Sequence, residues 1–296
     1  MKHHSFLSWL IATRPWSFTA SALTVLVVLS YSEWLIGSIC WLNGLWAILS
    51  IILFHAAGNT WSDWHDFRSG IDAADTHGVD TLTSGRFSPA AIRNLSLALY
   101  AAASATGLGL MLHTGLPLLW IGLAGLLGAL LYPFLKRCAL GDVVILLNYC
   151  LLPAWGTSYI ATGRILPEAL WAALPVGLLV VAILHANNTR DRRTDRRAGA
   201  LTLSHALGLR ASVILYLLEE LLPFAWVAVL SSLGLLPVWA LLVFLSLPIA
   251  LRNCRSMSAY RDETQSVSIA ALDQCSAQLQ LLFSLLLTTS FFIDKW

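Results

Sequence analysis

Residues 42–72 read L-N-G-L-W-A-I-L-S-I-I-L-F-H-A-A-G-N-T-W-S-D-W-H-D-F-R-S-G-I-D. The first part, 42–59, carries no formal charge and approaches the ~20 residues needed to cross a bilayer as a helix. It ends at Asn59 and then presents Asp63, Asp66 and Asp72, with Asp75 and Asp80 close behind. A second apolar run, 168–188, ends in the same way. There H-A-N-N-T-R-D-R-R-T-D-R-R-A-G (185–199) carries Asn187, Asn188, Asp191 and Asp195. The two segments hold seven of the 16 carboxylates in a chain that is 57% hydrophobic and only 11% charged. Like charges gathered at a membrane are costly unless something positive binds between them. A divalent metal holding a diphosphate is the partner that fits.

The rest of the chain fixes the setting. Mean hydropathy is positive, and segments of span length recur at 17–38, 42–59, 89–112, 116–135, 142–162, 168–188, 210–232, 236–252 and 275–293. This predicts an all-α, polytopic membrane protein of about nine transmembrane helices. The helices surround a central cavity, and the polar loops 60–88 and 189–209 cap it from the cytoplasm. Residues 1–296 are read as one membrane-embedded domain, with spans one to four and five to nine as a pseudo-repeat. Placing the N-terminus in the cytoplasm puts all of the 18 Lys and Arg except Arg164 and Lys295 on the cytoplasmic side, as the positive-inside rule requires. Both acidic segments then face the cytoplasm. The N-terminus lacks a small-residue cleavage site after its first apolar run, and no organelle-targeting segment precedes it, so the expected location is the cell inner (cytoplasmic) membrane. A net charge of +2 gives no reason to expect nucleic acid. The five cysteines lack metal-ligand spacing and read as reduced packing residues.

On a helix, Asn59, Asp63 and Asp66 share one face through spacings of four and three, and Asn187, Asp191 and Asp195 form a similar stripe. Two such stripes facing one another would supply hard oxygen ligands suited to Mg²⁺, which keeps waters and phosphate oxygens in its shell. The histidines, His185 among them, are scattered along the chain, so no His/Cys set is expected to compete for zinc. Ordinary surface acids would explain one cluster but not two on corresponding spans. Pairing of Asp191 and Asp195 with Arg190, Arg192 and Arg196 would leave the asparagines and the first cluster unexplained.

These segments resemble known signatures. G-N-T-W-S-D-W-H-D-F-R-S-G-I-D (58–72) is similar to the first motif of the UbiA superfamily of intramembrane prenyltransferases, and N-N-T-R-D-R-R-T-D-R-R-A-G-A-L-T-L (187–203) to the second. Arg14-Pro15, T-S-G-R (83–86), Y-P-F-L-K-R (132–137) and G-T-S-Y-I-A-T-G (156–163) match further family positions in the expected order. The spacing of both motifs, with G-T-x-Y at the end of span five, most resembles the 1,4-dihydroxy-2-naphthoate prenyltransferases of menaquinone synthesis. Y-P-F-L-K-R is also like the 4-hydroxybenzoate branch. Thr60 stands where many members carry Asp, which would thin the metal site by one ligand. Ala200 stands where the menaquinone branch carries Lys, which would remove a positive charge near the phosphates.

The resemblance implies Mg²⁺-dependent transfer of a polyprenyl group from its diphosphate to an aromatic acceptor, 1,4-dihydroxy-2-naphthoate in the menaquinone branch. It implies Asp63, Asp66, Asp191 and Asp195 as metal-holding catalytic residues, with Asn59 and Asn187 as neutral ligands or positioners of water. Lys136, Arg137, Arg68 and Arg190 become phosphate contacts, and Arg14 and Asn188 join the substrate-binding set. Tyr132, Tyr149, Tyr159, Trp61 and Trp64 become candidates to shield an allyl cation. Asp72 is assigned to acceptor binding or deprotonation. A cation-coupled transporter would instead place acids at mid-span depth with polar residues continuing across the bilayer, and spans two and six show neither.

Overall fold

The computed structural model describes residues 5–72 and 81–294, with only the backbone of Gln265. Among the described residues, nine helices are long and apolar enough to span a membrane: α1 (Pro15–Ile36), α2 (Trp41–Ser69), α3 (Pro89–Thr114), α4 (Pro117–Leu135), α5 (Gly141–Thr162), α6 (Ala169–Arg190), α7 (Leu209–Ser232), α8 (Val238–Ala259) and α9 (Ser266–Ile293). Among the described residues there is no β-strand, only an isolated parallel bridge between Cys138 and Leu201. All nine expected spans are present, and the differences lie at their ends. α2 runs on through the acids to Ser69, because polarity alone does not break a helix and nothing in 60–69 does so chemically. Gly70, at φ 72°, makes the stop. α8 likewise continues past 252 to Ala259 and ends where Tyr260 turns extended.

Consecutive spans pack side by side and α9 returns to α1, closing a ring, while α6 also reaches across to α1 and α9. α6 can sit centrally because it is lined with small residues. Ala172, Ala173, Ala182 and Ala186 are buried, and Gly177 lies so close to α5 that an added Cβ would stand 2.4 Å from Cys150 Cβ. Cys150 belongs to a π-helical turn, Leu147–Leu151, just ahead of Pro153, whose ring and missing N–H disrupt the normal ladder. The packed apolar core joins Tyr31 of α1, Phe224 of α7 and Phe283 and Phe291 of α9. The opposite half of the ring is hollow, and α4 turns Trp120, Leu127 and Leu131 outward, as a lipid-facing helix does. All five cysteines are free thiols.

Candidate active site

The ring encloses a cavity of about 1410 Å³, lined by α1–α6 and α9, whose acidic end is built by the two predicted clusters. Asn59, Asp63 and Asp66 lie along the last turns of α2. The left-handed Gly70 then reverses the chain, so that the backbone N–H groups of Ile71 and Asp72 both donate to Asp66 O, at 3.0 and 3.3 Å. This brings Asp72 back to the cavity wall. Opposite it, α6 ends at Arg190 and a short helix, Arg192–Arg197, follows. The break barely disturbs the stripe. Asp191 N donates to Asn187 O and Asp195 N to Asp191 O, both at 2.9 Å. Asn187, Asn188, Arg190, Asp191 and Asp195 all line the cavity, as do Arg14, Tyr132 and Lys136.

Each base answers an acid. Arg14 donates to Asp63 Oδ1 and Lys136 to Asp66 Oδ2, with Ser62 Oγ donating to the same Asp66 oxygen at 3.1 Å. Arg190 grips Asp191 through two hydrogen bonds, each 2.8 Å, and reaches Asp273 at 3.4 Å. Burial alone would lower the Arg14 and Lys136 cations, but Asp63 and Asp66 respectively lead the charges that hold both above their ordinary values. Arg14 carries φ 57°, unusual for a non-glycine residue, and Ser17 Oγ donates to its carbonyl at 2.8 Å.

The acids nevertheless outnumber the bases. Among the described lining residues, six carboxylates (Asp63, Asp66, Asp72, Asp191, Asp195, Asp273) face three bases (Arg14, Lys136, Arg190). Burial, then Asp66, pushes Asp72 up to about 6, and burial, then Asp191, pushes Asp195 up to about 7. Asp191 also raises Asp72, and Asp66 also raises Asp195, so the two clusters feel each other across the cavity. Asp63 keeps its second oxygen, Oδ2, buried with no hydrogen-bond partner. Asn59 fixes its amide by donating to Thr13 O at 2.9 Å and Ser17 Oγ at 3.0 Å, which leaves its carbonyl oxygen as the remaining polar atom. Orphaned and excess anionic oxygens on facing walls suit a hard divalent cation.

Several expected members lie elsewhere. Arg68 is exposed and stacks on Trp64, 5.1 Å from the ring centroid. Trp61 donates to Leu130 O at 3.1 Å and packs on Trp64, and neither tryptophan lines the cavity. Arg137 reaches Ala198 O at 3.5 Å and accepts at its own carbonyl from Leu201 N, so it braces the 192–201 segment and does not face the cavity. Tyr159 lies at the far end of α5, its hydroxyl donating to Thr114 O at 2.8 Å. Thr60 is fully buried, donates to the Ala56 and Ala57 carbonyls and does not line the cavity. Asp75 and Asp80 fall outside the described residues. Ser62, His55 and Asp273 line the cavity without having been expected there, and the i, i+4 spacing of Ser62 and Asp66 was the available signal for the first. His185 is not isolated: it meets Asp142 and Glu219, drawn from three different spans.

The model of the UbiA prenyltransferase family matches residues 21–272. UbiA prenyltransferase domain-containing protein 1 of Danio rerio is 32% identical over 231 residues, covering 76% of this chain and 68% of that protein. The 1,4-dihydroxy-2-naphthoate octaprenyltransferase of Bacillus subtilis (strain 168) is 25% identical over 296 residues, covering 95% of this chain and 91% of that one. A solved UbiA homolog from Archaeoglobus fulgidus, bound to GPP and Mg²⁺, has the same fold at TM-score 0.63 and 14% identity, over 95% of this chain and 99% of that chain.

Proposed function

The chain belongs to the UbiA prenyltransferase family, and on that premise we propose that it transfers a polyprenyl group from its diphosphate to an aromatic acceptor, with Mg²⁺ held between the two acidic clusters. The observation that carries this reading is the excess of carboxylates at one end of an otherwise apolar cavity. A diphosphate is strongly anionic, and such a wall repels it unless divalent cations enter as well. The Archaeoglobus fulgidus homolog binds GPP with Mg²⁺, which supports the same pairing here.

Asp63, Asp66, Asp191 and Asp195 would hold the metal, with the carbonyl oxygens of Asn59 and Asn187 as neutral ligands. Bound there, Mg²⁺ acts as a Lewis acid and template that stabilises charge growing on the leaving diphosphate. Arg14, Lys136 and Arg190 stand beside those carboxylates with N–H groups suited to phosphate oxygens. Tyr132 and Tyr149 line the cavity, where their rings would shield an allylic cation from water. Below them the wall turns to Leu108, Met111, Leu118 and Leu126, which suit an isoprenoid tail and exclude water. Asp72, on the cavity wall, would orient or deprotonate the acceptor.

We assign the acceptor as 1,4-dihydroxy-2-naphthoate. The motif spacing and a Bacillus subtilis relative spanning nearly the whole chain support it. The asymmetry of Lys and Arg supports a multi-pass protein of the cell inner membrane with its acidic end in the cytoplasm. Membranes carrying the protein are to be given radiolabelled polyprenyl diphosphate with either 1,4-dihydroxy-2-naphthoate or 4-hydroxybenzoate. Product from the naphthoate that disappears with EDTA is expected. Product only from 4-hydroxybenzoate would move the acceptor, and activity untouched by EDTA would sink the metal reading.

A further inference from the structure

Behind the wall of the active site, the first turn of α5 meets α6 and α7 at three buried side chains. Asp142, His185 and Glu219 are 5%, 0% and 4% exposed, and none of them lines the cavity. His185 Nδ1 lies 3.2 Å from Asp142 Oδ1 and 3.8 Å from Glu219 Oε1. One ligand atom from each of the three falls within 4.8 Å of the other two.

The far side of the imidazole settles its tautomer. Nε2 is 3.1 Å from Ser212 O, which can only accept, and 2.8 Å from Ser212 Oγ, whose own hydrogen goes to Ser204 Oγ, so Nε2 carries a hydrogen and, in the neutral imidazole, Nδ1 presents a lone pair. Ser212 Oγ is fixed in turn by Thr189 and Ser204, each at 2.8 Å. That lone pair points at two carboxylates. Among the described residues, neither carboxylate forms an ion pair with Lys or Arg. Asp142 Oδ2 and Glu219 Oε2 are also buried with no hydrogen-bond partner. Three polar groups thus converge in a dry place with no Lys or Arg beside them, and the two carboxylates need either a proton on His185 or a bound cation to offset their burial.

We propose that Asp142, His185 and Glu219 form a second metal site, structural in role, for a borderline divalent cation of the zinc class. One imidazole and two carboxylates neutralise such an ion. An imidazole whose other nitrogen donates to a backbone carbonyl is the usual setting of a metal-bound histidine. Zinc bonds of about 2.0–2.2 Å place tetrahedral ligand atoms about 3.3 Å apart, close to the two distances from Nδ1. Mg²⁺ prefers oxygen ligands and retained waters, so the acidic cavity suits it better. The ion would pin elements that carry the active site. His185 lies one turn of α6 before Asn188, and Gly141 packs on Lys136, where an added Cβ would stand 3.0 Å from the Lys136 Cβ.

The test uses the full-length protein in detergent, equilibrated with Zn²⁺ and then washed in excess Mg²⁺, with metal content read by mass spectrometry and melting followed with and without chelator. The expected result is one retained zinc per chain, with a melting temperature that falls on chelation and returns with Zn²⁺. Glu219→Gln should lose both the metal and the response, while Asp195→Asn keeps them. Wild type holding no more zinc than Glu219→Gln, with melting indifferent to chelator, would show that protons alone balance the cluster and would overturn the proposal. Should Glu219→Gln fail to fold, Asp142→Asn takes its place, and the wild-type measurements stand on their own.

Discussion

The sharpest test of the acidic site is Asp63→Asn, because the structure separates what that carboxylate does for the fold from what it does for a bound cation. Asp63 is 4% exposed. One of its oxygens accepts from Arg14 and the other has no protein partner. Asparagine keeps the shape and can still accept from Arg14, so the change removes one negative charge and places an amide NH2 where the unpartnered oxygen stood. Asp63 is buried and the Arg14 side chain 32% exposed, so the weakened pair and the unpartnered amide together cost about 1–3 kcal/mol. The chain should still fold and insert, with a monodisperse elution profile and a melting temperature only a few degrees lower. Catalysis should suffer far more. Losing one preorganised contributor to charge stabilisation costs about 2.7–4 kcal/mol, a fall of about 10²–10³ in turnover. The assay is prenyl transfer in nanodiscs across a Mg²⁺ series, and part of the loss should be recovered at high Mg²⁺, because affinity for the cation falls as well. Turnover within about threefold of wild type, at the same Mg²⁺ concentration and in well-folded protein, would refute the assignment of the unpartnered oxygen to a metal.

Asp72 and Asp195, pushed up to about 6 and about 7, hold protons more tightly in the folded chain than in the unfolded one. In metal-free buffer the melting temperature should therefore fall as pH rises from about 4 to about 7, then level off. Stabilisation by added Mg²⁺ should grow across the same window, since the cation displaces those protons, and a Mg²⁺ effect independent of pH would contradict the origin given for both shifts. Gly122 lines the cavity on α4, and an added Cβ there meets no atom within 4 Å. Gly122→Phe should fill the tail channel without disturbing the helix, cutting transfer from long polyprenyl donors at least tenfold while sparing dimethylallyl or geranyl donors. Equal loss for every donor length would mean that the tail does not pass Gly122.

What could be read from the sequence, and what could not, follows from which physical signal each feature leaves. Spans are legible because apolar runs interrupted by charge reflect the solvent around them. The end of α2 is not, because a helix stops at a backbone event, here Gly70, and not where polarity begins. Asn59, Asp63 and Asp66 share a face by local geometry that survives any tertiary arrangement, and so does most of the stripe from Asn187 to Asp195. Tyr159 fails for a different reason. Successive spans alternate in direction, so the end of span five lies across the bilayer from the ends of spans two and six that carry the acids, and alternation alone sets the residue apart from them despite its matching motif. The same rule places the start of span five, the end of span six and the first half of span seven at the acidic side. Asp142, His185 and Glu219 occupy those positions, so the depth of the cluster was legible. The contact was not: His185 is 43 residues from Asp142, and only the packing of α5, α6 and α7 makes neighbours of single polar residues that look isolated along each apolar run.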